Sequence, residues 1–390
     1  KIHARLRTYF ENIPSPAEEK VRSIDDIAPV IELYHHSVRA GYLESAARLF
    51  ESRLRDTLYF RLAAYAECAE LCREFLDAAQ VGSNIKNLDI LRTQNRLGVA
   101  LQKMGLLTEA RATLQQVNQA SREHNHNNLY FRTLNNLAQI ERDLGQLRKA
   151  EEDFQVAISI AQRFGDNLEV GRGLQELGLA ESFLGRHEEA IAHLLQAHKV
   201  QYAAEHNRTF AYLALTYLQQ GNLDEASMAL AQAQKIAIGY ARNQAWVDWL
   251  CGKLALARSE FAKSDTCLNA AITACRRHNL VELQPNVLLE YARLWLMKAK
   301  LQPDRSLSQN LILEARRHAE EALAIAERCQ YRLKQADLHN FFAEWELQME
   351  DLTKARDQAK TARELAWCEG PPYCYYTALN QAEKLLLQAG

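Results

Sequence analysis

Residues 97–110 (LGVALQKMGLLTEA) are repeated with the same spacing at residues 137–150 (LAQIERDLGQLRKA) and 177–190 (LGLAESFLGRHEEA). Every copy has a small residue at its second position, a glycine at its ninth and an alanine at its fourteenth. The small residue and the residue twelve places later recur in three weaker copies: Ala214 and Ala226, Gly252 and Ser264, and Ala343 and Ala355. From Ala110 to Ser264 the last members lie 36 to 40 residues apart, which indicates a chain assembled from repeated units.

The shared positions predict two helices joined by a tight turn. The small residue allows two helix backbones to approach closely, and the glycine suits the left-handed conformation that ends a helix. These turn glycines are Gly105, Gly145, Gly185 and Gly221. Four and seven residues after the alanine come apolar residues on one helical face: Leu114 and Val117, Phe154 and Ala157, Leu194 and Ala197, and Leu230 and Ala233. One pair cannot bury that face alone, so we predict an all-α solenoid of stacked pairs.

This spacing resembles that of the tetratricopeptide repeat, over about residues 91–275 and again over about residues 336–366. The usual tetratricopeptide repeat has about 34 residues. The repeat in this chain is nearer 40, which lengthens each helix of a pair by just under one turn. The resemblance implies a right-handed superhelix, here of about 8 helix pairs with a C-terminal capping helix. A generic helical bundle is the alternative.

Departures from this spacing divide the chain into four predicted segments. Residues 1–22 are an N-terminal helix and linker, 23–90 divergent first helices, 91–366 the repeat array, and 367–390 a turn and capping helix. Between Ser264 and Ala315 the spacing widens to 51 residues, which predicts a loop insertion near 299–310. The sequence Gly370-Pro371-Pro372 must end a helix, because proline lacks an amide hydrogen and clashes with the preceding turn.

The composition is typical of a folded, non-membrane protein. Apolar residues make up 48% and charged residues 25% of the chain. Its net charge of −2 argues against a polycation built to bind nucleic acid. The 8 cysteines are scattered through helical pattern and predict reduced thiols in a cytoplasmic protein. No signal-peptide pattern opens the chain, no apolar run reaches the roughly 18 residues of a membrane span, and Lys1 in place of Met indicates a fragment of a longer polypeptide.

The familiar catalytic and cofactor-binding motifs are missing from the sequence. It contains no G-x-x-x-x-G-K-[ST], G-x-G-x-x-G, H-E-x-x-H or G-x-S-x-G pattern. Cys68 and Cys72 share a helix face, but no second Cys or His pair has metal-site spacing, which favours packed thiols. We therefore predict no enzyme activity, no cofactor and no metal. A cysteine–histidine protease site stays open, because its residues need not be adjacent in sequence.

An arginine recurs six residues before the small residue of four successive repeats, at Arg92, Arg132, Arg172 and Arg208. In a tetratricopeptide stack the first helices of successive pairs line the concave surface, so these arginines are predicted to form a row there. The same helices contribute Asn95, Arg96, Asn135, Asn136, Gln175, Trp246 and Trp249. Guanidinium groups bind carboxylates, amides hold peptide backbone, and aromatic rings anchor apolar side chains. These candidate residues predict an acidic protein or peptide ligand; the alternative is a solvated row paired with Glu or Asp of adjacent repeats.

Two segments resemble a more specific family: residues 31–41 (IELYHHSVRAG) with 58–61 (LYFR), and residues 366–373 (AWCEGPPY). Both are similar to the C-terminal tetratricopeptide regions of bacterial STAND-class NTPases, which include NB-ARC and NACHT relatives. The resemblance implies a sensor that binds a trigger on its concave face and controls a covalently attached NTPase module. Its output would be signal transduction, antiviral defence or control of transcription. The alternatives are a stand-alone scaffold or adaptor for an acidic partner and a nucleic-acid-responsive sensor, which the thin aromatic interleaving disfavours.

Overall fold

The computed structural model describes residues 1–80, 87–200 and 206–390, and within them it contains nineteen α-helices and no β-strand. The helices are α1 (Ile2–Glu11), α2 (Ala28–Arg39), α3 (Leu43–Leu49), α4 (Tyr65–Gln80), α5 (Asn87–Lys103), α6 (Leu107–Glu123), α7 (Asn127–Asp143), α8 (Leu147–Arg163), α9 (Asn167–Phe183), α10 (His187–Val200), α11 (His206–Gln220), α12 (Leu223–Ala237), α13 (Ala241–Ala257), α14 (Phe261–Arg277), α15 (Gln284–Leu301), α16 (Arg305–Arg328), α17 (Arg332–Gln348), α18 (Leu352–Trp367) and α19 (Tyr376–Gln388). The predicted all-α helical-repeat fold is confirmed. Among these helices, none combines the length and the apolar composition needed to cross a lipid bilayer.

The small residue of the repeat marks the closest approach of the two helices in a pair. A Cβ atom added to Gly98 would lie 2.6 Å from Cγ of Leu114, which is sixteen residues further along the chain. The same relation holds for Gly178 with Leu194, at 2.8 Å, and for Gly252 with Leu268, at 2.6 Å. Each leucine is fully buried and fills the space that a side chain on the glycine would occupy. A larger residue at these glycines would therefore push the two helices apart.

The turn inside each pair has the left-handed glycine that the sequence predicts. Gly105, Gly145, Gly185 and Gly221 have φ angles of +78°, +79°, +78° and +81°. In the first of these turns the amide of Leu106 donates to the carbonyl of Leu101 at 2.9 Å, and the amide of Gly105 donates to that of Gln102 at 3.0 Å. These bonds satisfy carbonyl groups that the end of a helix would otherwise leave unpaired.

The predicted loop near 299–310 is wrong. Helix α15 continues to Leu301 and α16 begins at Arg305, so most of the supposed insertion is helical. Asp304 caps α16, since its carboxylate accepts hydrogen bonds from the amides of Ser306 and Leu307 at 2.8 and 3.0 Å. The Pro-Asp sequence is thus a helix start and not the middle of a loop. The additional residues lengthen α16 to 24 residues.

The described residues form two compact units, and the first comprises Lys1–Asn136 with Gly239–Arg242 and His278–Leu280. In this N-terminal unit, α2, α3, α4 and two π-helical turns, Phe50–Leu54 and Thr57–Arg61, surround a core that contains Tyr34 and Phe75. The hydroxyl of Tyr34 donates to the carbonyl of Leu71 at 3.0 Å, which satisfies a polar group inside this core. The predicted segment 23–90 includes residues 81–86, which lie outside the described residues.

The second, C-terminal unit comprises Leu137–Ile238, Asn243–Arg277 and Val281–Gly390, and its two ends are in contact. Leu147 and Leu184, near the first turns of the unit, share an apolar cluster with Leu333, Tyr375 and Leu379. The carboxylate of Glu369 accepts a hydrogen bond from the amide of Arg148 at 2.7 Å and lies 3.2 Å from its guanidinium group. Helix α19 packs on α17 and α18 and buries Ala378, Ala382 and Leu385.

Candidate ligand-binding face

The candidate residues lie on α5, α7, α9, α11 and α13, the first helices of successive pairs. Arg92, Asn95, Arg96, Arg132, Asn135 and Asn136 belong to the N-terminal unit, and Arg172, Gln175, Arg208, Trp246 and Trp249 to the C-terminal unit. The two groups are described separately below.

Of the candidate arginines in the N-terminal unit, Arg92 and Arg132 are exposed. The side chain of Arg92 is 53% exposed, and its guanidinium lies 3.6 Å from the carboxylate of Asp89 one turn earlier. A distance of 3.6 Å at such exposure contributes little to stability, so Arg92 can exchange Asp89 for a ligand carboxylate at small cost.

Arg96 differs from these two arginines, because most of its side chain is buried. Its guanidinium pairs with the carboxylate of Glu51 and lies over the ring of Phe50 at 5.2 Å. Burial lowers the pKa of Arg96 to about 10. Arg96 therefore holds α5 against the π-helical turn at Phe50–Leu54. Its contacts are structural, unlike those of the exposed Arg92 and Arg132.

The amides of the N-terminal unit connect adjacent repeats. The side-chain carbonyl of Asn95 accepts hydrogen bonds from the hydroxyl of Thr133 at 3.2 Å and from the amide of Asn136 at 3.3 Å. These bonds join α5 to α7. Asn135 is buried, and its side-chain oxygen has no hydrogen-bond partner in the described structure.

In the C-terminal unit the arginines of the row are paired with buried glutamates. The guanidinium of Arg172 lies 2.8 Å from Glu169, and that of Arg208 lies 3.2 Å from Glu176. Both arginine side chains remain 28% exposed, whereas those of Glu169 and Glu176 are 5% and 2% exposed. Each guanidinium is thus fixed from below by a carboxylate and keeps one side open to solvent.

Glu176 is the centre of a hydrogen-bond network that the sequence interpretation missed. It also accepts a hydrogen bond from the guanidinium of Arg142 at 2.6 Å and another from the hydroxyl of Tyr212 at 3.2 Å. These donors, Arg142 from α7 and Arg208 and Tyr212 from α11, satisfy this buried carboxylate, as its low exposure requires. The sequence signal for this network was that Glu176 is an acidic residue on one of the first helices. Its spacing from Arg142 did not identify the two as partners.

Gln175 is completely buried and connects two repeats in the way that Asn95 does. Its side-chain amide donates to the hydroxyl of Thr209 at 2.6 Å. Both amides occupy the position three residues before the small residue of the repeat, and both threonines occupy the position five residues before it. The amide of Gln175 bridges α9 and α11, as that of Asn95 bridges α5 and α7. The recurrence of an amide at this repeat position therefore has a structural explanation.

The two tryptophans of α13 continue an aromatic cluster from α11. The ring of Trp246 lies 5.8 Å from that of Tyr212 and 5.2 Å from that of Trp249, with the second pair edge to face. Trp249 and Tyr212 are buried, but Trp246 is partly exposed. Trp246 occupies the same repeat position as the arginines of the row, six residues before Gly252.

Beyond α13 the same kind of lining continues, although the sequence interpretation did not include it. The ammonium of Lys253 lies 2.5 Å from Glu290, and the guanidinium of Arg293 lies 2.9 Å from the same carboxylate. Burial by itself would raise the pKa of Glu290, but Lys253 and Arg293 reverse the effect and lower it. Near them, burial raises the pKa of Asp337 to about 6, and the hydroxyl of Tyr375 donates to this carboxyl group at 3.0 Å.

We call the side of α9, α11, α13, α15 and α17 that carries these residues the first-helix face. Its partly exposed side chains are four cations, one indole and the carboxyl group of Asp337, and beneath them lie the buried carboxylates of Glu169, Glu176 and Glu290. The face is therefore close to neutral, and its guanidinium groups have fixed orientations. Such a surface suits a ligand with a few directed carboxylate contacts and an apolar anchor better than a polyanion. Within the described residues no three His, Cys, Asp or Glu side chains are arranged to hold a metal ion.

A family model of the tetratricopeptide repeat matches residues 89–163 and 129–203. These two matches include α5 to α10, the part of the chain where the repeat is most regular. None of the curated proteins matches the sequence.

Solved structures with a similar fold include two Rap proteins and one STAND protein. The Rap conjugation gene regulator of plasmid pLS20 in complex with the Phr* peptide is 14% identical, with a TM-score of 0.58 over 84% of this chain and 85% of that one. A Rap protein complexed with competence and sporulation factor is also 14% identical, with a TM-score of 0.54 over 88% and 99% of the two chains.

The STAND protein with a tetratricopeptide repeat sensor from Pyrococcus horikoshii is 14% identical, with a TM-score of 0.50. The match covers 93% of this chain and 52% of that protein. At this level of identity the similarities establish the fold alone.

Proposed function

We propose that this chain is a recognition domain that binds a peptide or an extended protein segment along the first-helix face of its C-terminal unit. The observation that carries the proposal is the arrangement of Arg172, Arg208 and Trp246 at equivalent positions on the first helices of three successive pairs. All three are partly exposed, and buried groups fix the two arginines from behind. Fixed side chains lose little conformational entropy on binding, so each contact contributes more to affinity.

The partner chemistry follows from what these side chains can hold. Arg172 and Arg208 would each bind a carboxylate of the ligand, and Trp246 would take an apolar side chain between them and Lys253. Because Glu169 and Glu176 already compensate the two guanidinium groups, binding should depend only weakly on salt, with affinity falling about threefold or less between low and physiological ionic strength. The near-neutral face also disfavours nucleic acid, whose binding falls steeply with salt.

The comparisons support a peptide ligand by analogy. Two proteins of the same fold were solved with a peptide or with competence and sporulation factor. For the N-terminal unit, taken by itself, we propose that the exposed Arg92 and Arg132 bind acidic side chains.

We further propose that the domain senses a trigger for an attached STAND-type NTPase. The motif resemblance at residues 31–41 and 366–373 and the fold of the Pyrococcus horikoshii sensor protein support this role. The coding sequence upstream of Lys1 tests it directly, since a P-loop for nucleotide phosphates is expected there. A complete upstream reading frame without such a loop would leave a stand-alone adaptor as the function.

The binding face is tested by selecting ligands from a random peptide library displayed on phage, with the purified protein as the target. The selected peptides are then measured by calorimetry against Arg172→Ala, Arg208→Ala and Trp246→Ala variants. Each substitution is expected to raise Kd about tenfold or more, because each removes a fixed contact near the centre of the face.

Arg317→Ala is the matched control. Arg317 lies on α16, a second helix, and pairs with Glu314 at 2.7 Å through the same three-residue spacing as Arg172 and Glu169. The control should bind the peptides as the unsubstituted protein does. Equal affinity of all variants for every selected peptide would exclude the first-helix face as the binding site.

A further inference from the structure

Two cysteines of the C-terminal unit, Cys251 on α13 and Cys267 on α14, lie beside the crossing of these helices, and each thiol shifts the pKa of the other. Both residues are partly exposed. The side-chain amide of Gln234, on α12, donates to Sγ of Cys251 at 3.0 Å. No role in packing or in the proposed ligand contacts accounts for this pair.

The backbones of α13 and α14 approach most closely beside these cysteines. Gly252 follows Cys251, Leu268 follows Cys267, and an added Cβ on the glycine would lie 2.6 Å from Leu268. The hydroxyl of Ser264 also donates to the carbonyl of Gly252 at 2.9 Å across the same crossing. A disulfide requires closely spaced backbones, and the crossing supplies that close approach one residue away from each cysteine.

The remaining cysteines differ from this pair. Cys68, Cys72, Cys275, Cys329 and Cys374 are buried. Cys368 is partly exposed, but its thiol lies 3.5 Å from the carbonyl of Leu365, and burial raises its pKa to about 11. The thiol of Cys251 lowers the pKa of Cys267 to about 7, against the effect of burial, and the nearby Lys263 lowers it further. Asp248 acts in the opposite direction.

We infer that Cys267 and Cys251 are a thiol modification site that hydroperoxides oxidise to a reversible disulfide between α13 and α14. The sulfur of Cys267 attacks the terminal oxygen of the hydroperoxide, so that an S–O bond forms, the O–O bond breaks and an alcohol leaves. The thiol of Cys251 then attacks the sulfenic sulfur, the S–S bond forms, and its proton leaves with the hydroxyl as water. Two thiols are oxidised, and one hydroperoxide is reduced by two electrons.

The bond would join the two helices of one repeat, and α13 is the helix that carries Trp246 and Trp249. Oxidation would therefore restrain one element of the first-helix face without blocking it. The modification site does not depend on the proposed ligand, so the two proposals can fail separately.

The test treats the purified full chain with hydrogen peroxide, using mass spectrometry of non-reduced peptides as the readout. A linkage between the peptides of Cys251 and Cys267 is expected, and dithiothreitol should reverse it. In Cys251→Ser the oxidation should stop at a sulfenic acid on Cys267 that dimedone labels. Cys368→Ser, which removes the other partly exposed thiol, should behave as the unsubstituted protein.

The rate of alkylation by iodoacetamide gives an independent measurement. Cys267 should react about threefold faster at pH 7 than a thiol of ordinary pKa, since its larger thiolate fraction outweighs its lower intrinsic nucleophilicity. The rate should be half-maximal near pH 7, and Cys251→Ser should shift that midpoint upward. Dimedone labelling of another cysteine in Cys251→Ser, or no linkage between the two peptides, would overturn the inference.

Discussion

At the residue scale, the decisive position of the repeat is the small residue at the helix crossing, which is glycine in three repeats. Gly98, Gly178 and Gly252 lie in the middle of helices, where glycine is less favourable than alanine by about 1 kcal/mol. Each is retained opposite a leucine that occupies the place of its Cβ. Packing between helices therefore outweighs helix propensity at these positions.

Gly98→Ala is expected to destabilise the protein by about 1–2 kcal/mol, although the same change normally stabilises a helix. The added Cβ would lie 2.6 Å from Leu114, and displacing this buried leucine should outweigh the gain in propensity. In a Leu114→Ala background the collision disappears, so Gly98→Ala should there stabilise by about 1 kcal/mol. Denaturant unfolding of the four proteins measures the change of sign, and a stabilised Gly98→Ala single variant would contradict the interpretation.

At the element scale, turns between helices carry packing as well as chain reversal. Gly145 and Gly185 end the first helices of two pairs, and their turns lie against Arg332 of α17 and Tyr376 of α19. An added Cβ on Gly145 would lie 2.4 Å from the side chain of Arg332, whose guanidinium donates to the carbonyls of Leu365 and Glu364 at 2.9 Å. Contacts between distant turns thus hold the two ends of this unit together.

Gly185→Ala and Gly221→Ala form a matched pair that isolates this contact. Their φ angles are +78° and +81°, so alanine introduces the same backbone strain of about 1 kcal/mol at both sites. An added Cβ on Gly185 would lie 2.5 Å from the ring of Tyr376, whereas Gly221 has nothing within 4 Å of that position. Gly185→Ala should therefore lower the free energy of unfolding by about 1–2 kcal/mol more than Gly221→Ala.

Thermal or urea unfolding of the two variants in parallel measures that difference. Equal losses in both would mean that the end-to-end contact contributes nothing to the stability of the unit.

At the scale of the whole molecule, a net charge near zero coexists with buried ion pairs. The net charge is only −2, yet Glu176 and Glu290 are buried carboxylates that cations from other helices compensate. Asp337 is less well compensated, since burial raises its pKa to about 6 despite the nearby Arg293 and Lys253. The stability of the protein should respond to this group between the unfolded and folded pKa values, at about pH 4 to 6.

Asp337 should make the protein less stable as the pH rises from about 4 to 6. Its pKa when unfolded is about 3.9, so in this range the unfolded chain has released a proton that the folded chain still holds. The unfolded state binds fewer protons, and the free energy of unfolding therefore falls with rising pH. Asp337→Asn keeps an acceptor for Tyr375 and should remove up to about 3 kcal/mol of this dependence.

The difference between Asp337→Asn and the unsubstituted protein is measured by urea unfolding at several pH values. That difference cancels the contribution of Glu290, whose lowered pKa acts in the opposite direction. A difference that stays constant between pH 4 and 6 would show that Asp337 titrates normally.

Local spacing was sufficient to predict most of the elements. The glycine turns and the small residues at helix crossings each depend on a few neighbouring residues, and the structure contains them as predicted. The incorrect prediction of a loop near residues 299–310 arose because the same short sequence is compatible with two structures. Pro303 and Asp304 are typical of a loop, but the aspartate caps a helix, and only the packing of the following residues decides between these structures.

The sequence by itself determined the all-α repeat, because periodic small and apolar residues require helices to pair and neighbouring pairs to stack. It also determined that arginines recur on the first helices. Only the tertiary structure decided what those arginines contact. Arg96 pairs with Glu51 from another element, and Glu176 gathers donors from residues 142, 208 and 212. The charge of a surface depends on which side chains meet across helices, and that information is not contained in the spacing along any one of them.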